Sequence, residues 1–352
     1  MSLVKEAAFI GCGQAGGNIV SLFSDEYNSL FINTSEEDLK SLKNAKRRYQ
    51  IANSEGASKD INKAMQLVTD DYDNIIKEVD SIITEQIVFV VGALGGGSGN
   101  ALVRIISEYL VSNEKRDNRI VCPVLVLPND EEESLVACAN VYEALKDLEA
   151  SNVGAMFLLD NKKNANKFAI NSDFYHCLDS LLKMSNQSKD GNIDKSELKT
   201  CLSAKGICMI HKISKDRTNA ANIISSFNDN RIFAPIEKDA AITYIALSLA
   251  KKGVDISDII KGYVVYDSFT GYGSTSTLCV LAGMSMPVGR ITEIRNKIKN
   301  GKKQLATNFQ KLNSSIFEDD SEDDFSLTNI KNNKHVSKPS ARDLLLKRAE
   351  KQ

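Results

Sequence analysis

Apolar positions fall in short unbroken blocks through the first 160 residues, and the blocks alternate with segments of helical period. AAFIG (7–11), SLFIN (29–33), QIVFVV (86–91), IVCPVLVL (120–127) and VGAMFLLD (153–160) read as strands. Between them GGNIVSLFSDEY (16–27), NALVRIISEYLVS (100–112) and SLVACANVYEALKDLEA (134–150) read as helices. Strands that are apolar throughout, rather than at alternate positions, are covered on both faces. Their alternation with helices predicts a parallel, Rossmann-like α/β sheet. The pattern assigns no element between 34 and 85.

After residue 165 the pattern changes. FAINSDFYHCLDSLLKMSN (168–186) is a long helix with apolar residues at 170, 174, 177/178 and 181/182, followed by the polar turn QSKDGNIDKSE. From about 205 to 287 a second apolar set appears: GICMIHKI, a helix near 237–251, KGYVVYDSF and STLCVLAGM, which suits a smaller mixed α/β domain. RITEIRNKIKNGKKQLATNFQKL (290–312) reads as a helix with Gly301 as its weak point. The organisation expected is a sheet domain over 1–167, a central helix over 168–187 and a second domain over 188–289. A C-terminal helix over 290–312 and a charged flexible tail over 313–352 complete it.

Composition narrows the class more than the function. At 352 residues the chain is long enough for two folded units, and 42% hydrophobic with 26% charged residues is globular composition. The net charge of −2 gives no overall bias toward nucleic acid. Cys12, Cys122, Cys138, Cys177, Cys201, Cys208 and Cys279 form no CxxC pair, and His176, His211 and His335 are far apart. That distribution fits a reducing compartment with neither disulfides nor a protein-held metal. No apolar run approaches the ~18 residues of a membrane span, and no signal-peptide layout opens the chain, so the cytoplasm is expected.

Candidate chemistry gathers where parallel sheets bind ligands, at the carboxyl ends of strands. GCGQAGGN (11–18) follows the first strand and fits GxGxxG. A dinucleotide site would also want an acid at the end of the second strand, but Asn33 and Thr34 stand there, with acids displaced to 36–38. GALGGGSGN (92–100) follows the strand 86–91, again ahead of a helix. Two such loops offer successive backbone N–H groups and helix N-termini to a di- or triphosphate, so a Walker lysine is not required. The third stretch, GNIDKSE (191–197), has several readings. Counted from Asn186 it fits a calcium EF-hand loop with low charge and no second loop to pair with, and it also fits a plain solvated turn.

The motifs GCGQAGGN, NTS, GALGGGSGN, LPNDEEE, LLDN, FAINSD and GNIDKSE, in that order over roughly residues 5 to 290, resemble the tubulin/FtsZ superfamily of filament-forming GTPases. The resemblance implies a GTP-binding first domain and a second, activating domain. Carried over residue by residue, it assigns Gly11, Gly13, Gln14, Gly16, Gly17 and Asn18 to the α- and β-phosphates. Gly95, Gly96, Gly97, Ser98 and Gly99 would cradle the phosphates, with Ala93 and Leu94 in the adjoining γ-phosphate-sensing loop. Asn33 and Ser35 occupy the family's Asn-Thr-Asp position, Ser35 replacing its Asp, and Asn100 replaces a Thr or Ser of the signature.

Glu132 or Glu133 matches the ribose-contacting acid. Asn161 and Asp173 match base-reading positions, because guanine presents N1–H and N2–H₂ donors to oxygen acceptors, and Phe168 matches the aromatic that stacks on the base. Asn192, Asp194 and Glu197 would form the loop that completes the nucleotide site of the next subunit, with Mg2+ on the phosphates.

Charge blocks in the tail refine the resemblance. Residues 290–312 hold seven Lys/Arg and one Glu, EDDSEDD (318–324) follows, and 331–352 is basic again. SARDLLLKRAEKQ suits a short helix capped by Ser340, with Leu344 to Leu346 as an apolar patch for a partner. These features resemble the TubZ branch, which implies plasmid or phage DNA segregation through a TubR-like DNA-bound adaptor, with no direct specific DNA contact. A phage PhuZ-type or an FtsZ-type filament GTPase is the alternative. An NAD-binding Rossmann enzyme and a single EF-hand-like module are more remote.

Overall fold

A computed structural model describes residues 2–112, 118–184, 188–237 and 240–315, with side chains as far as 308 along the last helix. The tail beyond 315, including the helix over 340–352 expected from sequence, lies outside the described residues.

The elements of the first half are β1 (Ala7–Cys12), α1 (Gly13–Val20), β2 (Asn28–Asn33), α2 (Glu36–Ser41), β3 (Arg48–Gln50), α3 (Ile61–Asp70), α4 (Tyr72–Ile82), β4 (Ile87–Ala93), α5 (Ser98–Ser112), β5 (Ile120–Leu127), α6 (Leu135–Ala150) and β6 (Ala155–Asp160). The second half adds α7 (Lys167–Leu182), α8 (Lys195–Ser203), β7 (Gly206–Ser214), α9 (Ala220–Asn228), β8 (Ala241–Leu249), α10 (Ile256–Ile260), β9 (Val264–Tyr272), β10 (Ser276–Met284) and α11 (Val288–Ser315).

All the strands join one sheet in the order β3-β2-β1-β4-β5-β6-β7-β10-β8-β9. From β3 to β7 every pairing is parallel, and β10 runs antiparallel to both β7 and β8. The two halves meet through a short seam, Ala155↔Gly206 and Met156↔Ile207. α7 lies along this seam. Its Phe174 ring packs edge-on against Phe157 and Phe233, and the Leu182 carbonyl accepts from Leu3 N at 2.7 Å. All six residues of each of β1 and β6 are buried, as their unbroken apolar sequences require.

One expectation is overturned. Residues 241–249 form strand β8, not a helix, because β8 lies between β10 and β9 and its end from Ile245 to Leu249 is buried. Such a strand has no period of two, and its apolar run is indistinguishable from a buried helix in sequence. Helix α11 runs unbroken through Gly301, where an added β-carbon would overlap the Leu135 side chain of α6. The glycine costs about 1 kcal/mol of helix propensity and lets the two helices approach.

His211 on β7 is 7% exposed, with its ring edge-on to Phe227 and Phe233. Burial pushes its pKa down to about 4. A histidine held neutral when folded leaves the unfolded chain to take up the proton first. Its contribution to stability is therefore full above pH 6.5 and is lost as pH falls from there toward 4, by about 3 kcal/mol. Denaturant titrations of wild type and His211→Leu across that range should show the shallower pH slope in the variant.

Candidate nucleotide site

The first glycine motif forms the opening turn of α1 rather than a loop ahead of it. Cys12 caps the helix without a side-chain hydrogen bond, so the first N–H groups are left for a ligand. Gly13 has φ +67, in the left-handed region that favours glycine, and an added β-carbon would lie 2.9 Å from Gly99 N. A β-carbon on Gly99 would in turn lie 2.9 Å from Cys12 O. The N-termini of α1 and α5 therefore touch backbone to backbone, which brings the two glycine clusters into one cradle. Gly16 seats α1 on β4, where a β-carbon would overlap the Val91 carbonyl.

The second cluster is held from behind by two buried amides. Asn140 Nδ2 reaches Lys59 O at 3.0 Å and the carbonyls of Gly95 and Gly96 at 3.4 and 3.5 Å. Asn100, fully buried, donates to Leu94 O at 2.6 Å and Asn140 O at 3.0 Å. Its side chain thus faces the interior, and what Asn100 can offer a ligand is its backbone. Gly97 fits beneath segment 51–60: a β-carbon there would meet Ala57 Cβ at 3.0 Å and Asp60 O at 3.1 Å. Gly96 differs, because nothing stands within 4 Å of an added β-carbon except Ala93 O at 4.0 Å.

Side chains wall the cradle at the end of β2. Thr34 and Ser98 share a hydrogen bond of 2.5 Å, and Asn33 donates to Asp38 at 3.1 Å. Ser35 caps α2 by accepting from Asp38 N at 3.2 Å, a task serine performs as well as the aspartate it replaces. Across the cradle Glu133 pairs with Lys59 at 3.0 Å and Lys167 at 3.5 Å. The Lys59 hydrogen bond, opposed by partial burial, keeps its carboxyl below the usual range. Glu132 is exposed.

Residues 6–168 match the family model described as "Tubulin/FtsZ family, GTPase domain". This part of the chain is similar to a tubulin/FtsZ GTPase domain. The whole chain is similar to the tubulin-like protein TubZ of Clostridium botulinum C phage: 27% identical, covering 99% of this chain and 96% of the relative. The solved tail-truncated TubZ of C. botulinum phage c-st aligns with TM-score 0.76 at 27% identity, covering 85% of this chain and 98% of that one. TubZ of Bacillus thuringiensis, solved as a helical model of a two-stranded filament, shares the fold with TM-score 0.75 at 15% identity, covering 90% and 94%.

After β6, Asn161 opens a short 3-10 turn capped by Asp160. Phe168, in the first turn of α7, is 73% exposed. Asp173 is five residues further on, about 140° around the helix from Phe168. It lines a separate cleft of about 650 Å³ with His176, His211 and Arg217. Asn171 and Ser172, at the +3 and +4 positions, share the Phe168 face instead.

Asn192, Asp194 and Glu197 lie away from the cradle. Asp194 Oδ1 accepts from Glu197 N at 2.9 Å while Glu197 Oε2 accepts from Asp194 N at 2.8 Å, a reciprocal capping box that starts α8. Asn192 pairs with the Ser188 backbone at 2.7 and 2.9 Å. Among the described residues no group of three His, Cys, Asp or Glu is placed to hold a metal ion. Lys195 binds Glu6, just ahead of β1, and Lys199 binds Glu6 and Gln86, just ahead of β4. The carboxylate loop thus sits at the amino edge of the sheet. The glycine clusters follow the opposite edge, about 20 Å away along β1.

Sequence reading missed Thr34, Lys59, Asn140, Asn171 and the buried Arg290. Thr34 and Asn171 lie inside the motifs NTS and FAINSD, and Asn140 is an amide among the core positions Ala137, Val141 and Ala144 of α6. The others are brought in by chain pairing that no local pattern reports.

Proposed function

We propose that this chain is a filament-forming GTPase whose active site is completed between subunits. The observation that carries this is the separation of parts: phosphate cradle at one edge of the sheet, carboxylate loop at the other. A head-to-tail contact would bring the Asp194–Glu197 loop of one subunit to the cradle of the next, and such a heterologous contact repeats as a filament. The amides of 11–18 and 95–100 bind the phosphates, Glu132 or Glu133 the ribose, and Asn161 with Asn171 reads guanine beside Phe168. Lys59, held by Glu133, sits where segment 51–60 closes over the cradle.

Water attacks the γ-phosphorus, the bond to the β–γ bridging oxygen breaks, and the water proton passes toward a carboxylate of the incoming loop. The products are GDP and phosphate. Asp194 and Glu197 keep their second carboxylate oxygens for this task while the first ones cap α8. Mg2+, riding on the phosphates, would offset their charge. Supplying the carboxylates only on contact avoids holding them against a triphosphate in the free subunit.

The biological role we infer is segregation of plasmid or phage DNA in the host cytoplasm, through a TubR-like DNA-bound adaptor engaged by the tail. It is supported by the full-length similarity to a phage TubZ and by the alternating charge of 290–352. Functionally the chain divides into a GTP-binding unit 1–167, the linking helix 168–187, an activating unit 188–289, the helix 290–312 and the tail 313–352. No helix among the described residues is long and apolar enough to cross a membrane.

Sedimentation tests the reading. GTP and a slowly hydrolysed GTP analogue should each pellet the protein, and the analogue's polymer should persist. ATP, NAD and calcium should not. Turnover per subunit should rise with protein concentration, and a concentration-independent rate would rule out catalysis between subunits.

A further inference from the structure

The ends of β5 and β6 are tied together by a side chain from far along the chain. Arg290, in the first turn of α11, is 2% exposed. Its Nε and Nη2 donate to the two carboxylate oxygens of Asp160 at 2.7 and 3.1 Å. Nη1 donates to Asp130 Oδ1 at 2.6 Å and to Glu293 Oε2 at 3.2 Å, and Nη2 reaches Pro128 O at 2.8 Å. Pro128 and Asp130 belong to the loop that carries Glu132 and Glu133. Asp160 directly precedes Asn161 and caps its turn by accepting from Lys162 N at 3.1 Å.

We propose that Arg290 is a positioning residue for the nucleoside half of the site. It fixes the spacing between the ribose-side loop 128–133 and the base-side turn 161–163, and none of its hydrogen bonds reaches the glycine clusters. The inference rests on the guanine-nucleotide reading above. Burying a guanidinium and two carboxylates is costly, and an apolar contact could staple a helix as firmly. What the planar fork adds is direction, since each carboxylate is held at a set angle that a lysine ammonium cannot impose. Because Arg290 opens α11, whatever displaces that helix also displaces both nucleoside loops.

The test compares Arg290→Lys, which keeps the charge and loses the fork, with Asp130→Asn, which leaves the Asp160–Arg290 pair in place. Affinities of the full chain for GTP, GDP and inorganic tripolyphosphate are measured by calorimetry, with thermal unfolding to establish that each variant is folded. For Arg290→Lys, GTP and GDP should weaken together by about 10–100-fold, the scale of a lost charged hydrogen bond. Tripolyphosphate should bind as in wild type, and KM for GTP should rise with kcat little changed. Asp130→Asn should show the same pattern at smaller size. Unchanged GTP affinity in folded variants, an equal loss for tripolyphosphate, or failure of both variants to fold would each overturn the proposal. A wild-type protein that does not bind GTP would overturn the nucleotide reading itself.

Discussion

Replacing Asp194 by Asn or Glu197 by Gln is expected to lower GTP turnover by about 100-fold or more while GTP binding and filament formation persist. Both substitutions keep an oxygen that can accept the capping hydrogen bond, so α8 should start as before. Only the charge is lost. Asp194→Ala would mix this with a capping loss of about 1 kcal/mol, and it is the less informative variant. Turnover is read as phosphate release, and filaments by sedimentation. Wild-type turnover in polymers of either conservative variant would remove the carboxylates from the mechanism. The between-subunit arrangement has its own check. In mixed filaments of Asp194→Asn and a cradle-deficient subunit, nucleotide on the first meets an intact loop from the second. Part of the turnover should return on mixing.

Gly96→Ala is expected to weaken GTP binding by about 100-fold without changing the melting temperature. Its φ is not positive, and an added methyl would meet nothing closer than Ala93 O at 4.0 Å. The fold therefore has no need of a glycine there, and the space beside Gly96 is where the proposed site would seat a phosphate against the backbone. Gly16→Ala makes the control. There the β-carbon would overlap the Val91 carbonyl, so stability should fall along with binding. GTP affinity of Gly96→Ala equal to wild type would place the phosphates elsewhere.

The strands of the first half were legible because buried parallel strands write themselves as continuous apolar runs, and β5 has the predicted bounds, 120–127. Helices α3 and α4 were not read, although their buried positions recur at helical spacing, Ile61, Ala64 and Val68 in α3 and Ile75 and Val79 in α4. They lack the long apolar blocks by which the other elements were recognised. Strand β3 is three residues long at the edge of the sheet and carries almost no pattern. The site divides in the same way. The glycines were visible because clustered glycine is costly in a folded chain. Lys59 and Arg290 were not, because a single polar residue announces nothing until its partners are known.

The sequence by itself determined the parallel sheet, the two glycine-rich turns at its carboxyl ends and the acidic loop GNIDKSE. Each of these is local, since burial on both faces, positive φ and close backbone approach constrain residue types within a few positions. Only the tertiary structure decided that Gly13 and Gly99 touch, that Asp173 turns away from the Phe168 face, and that Arg290 joins the loops after β5 and β6. It alone put the glycine-rich turns and the carboxylates at opposite edges of one sheet. That separation depends on which way strands run and on which ends meet, quantities set by pairing across more than a hundred residues.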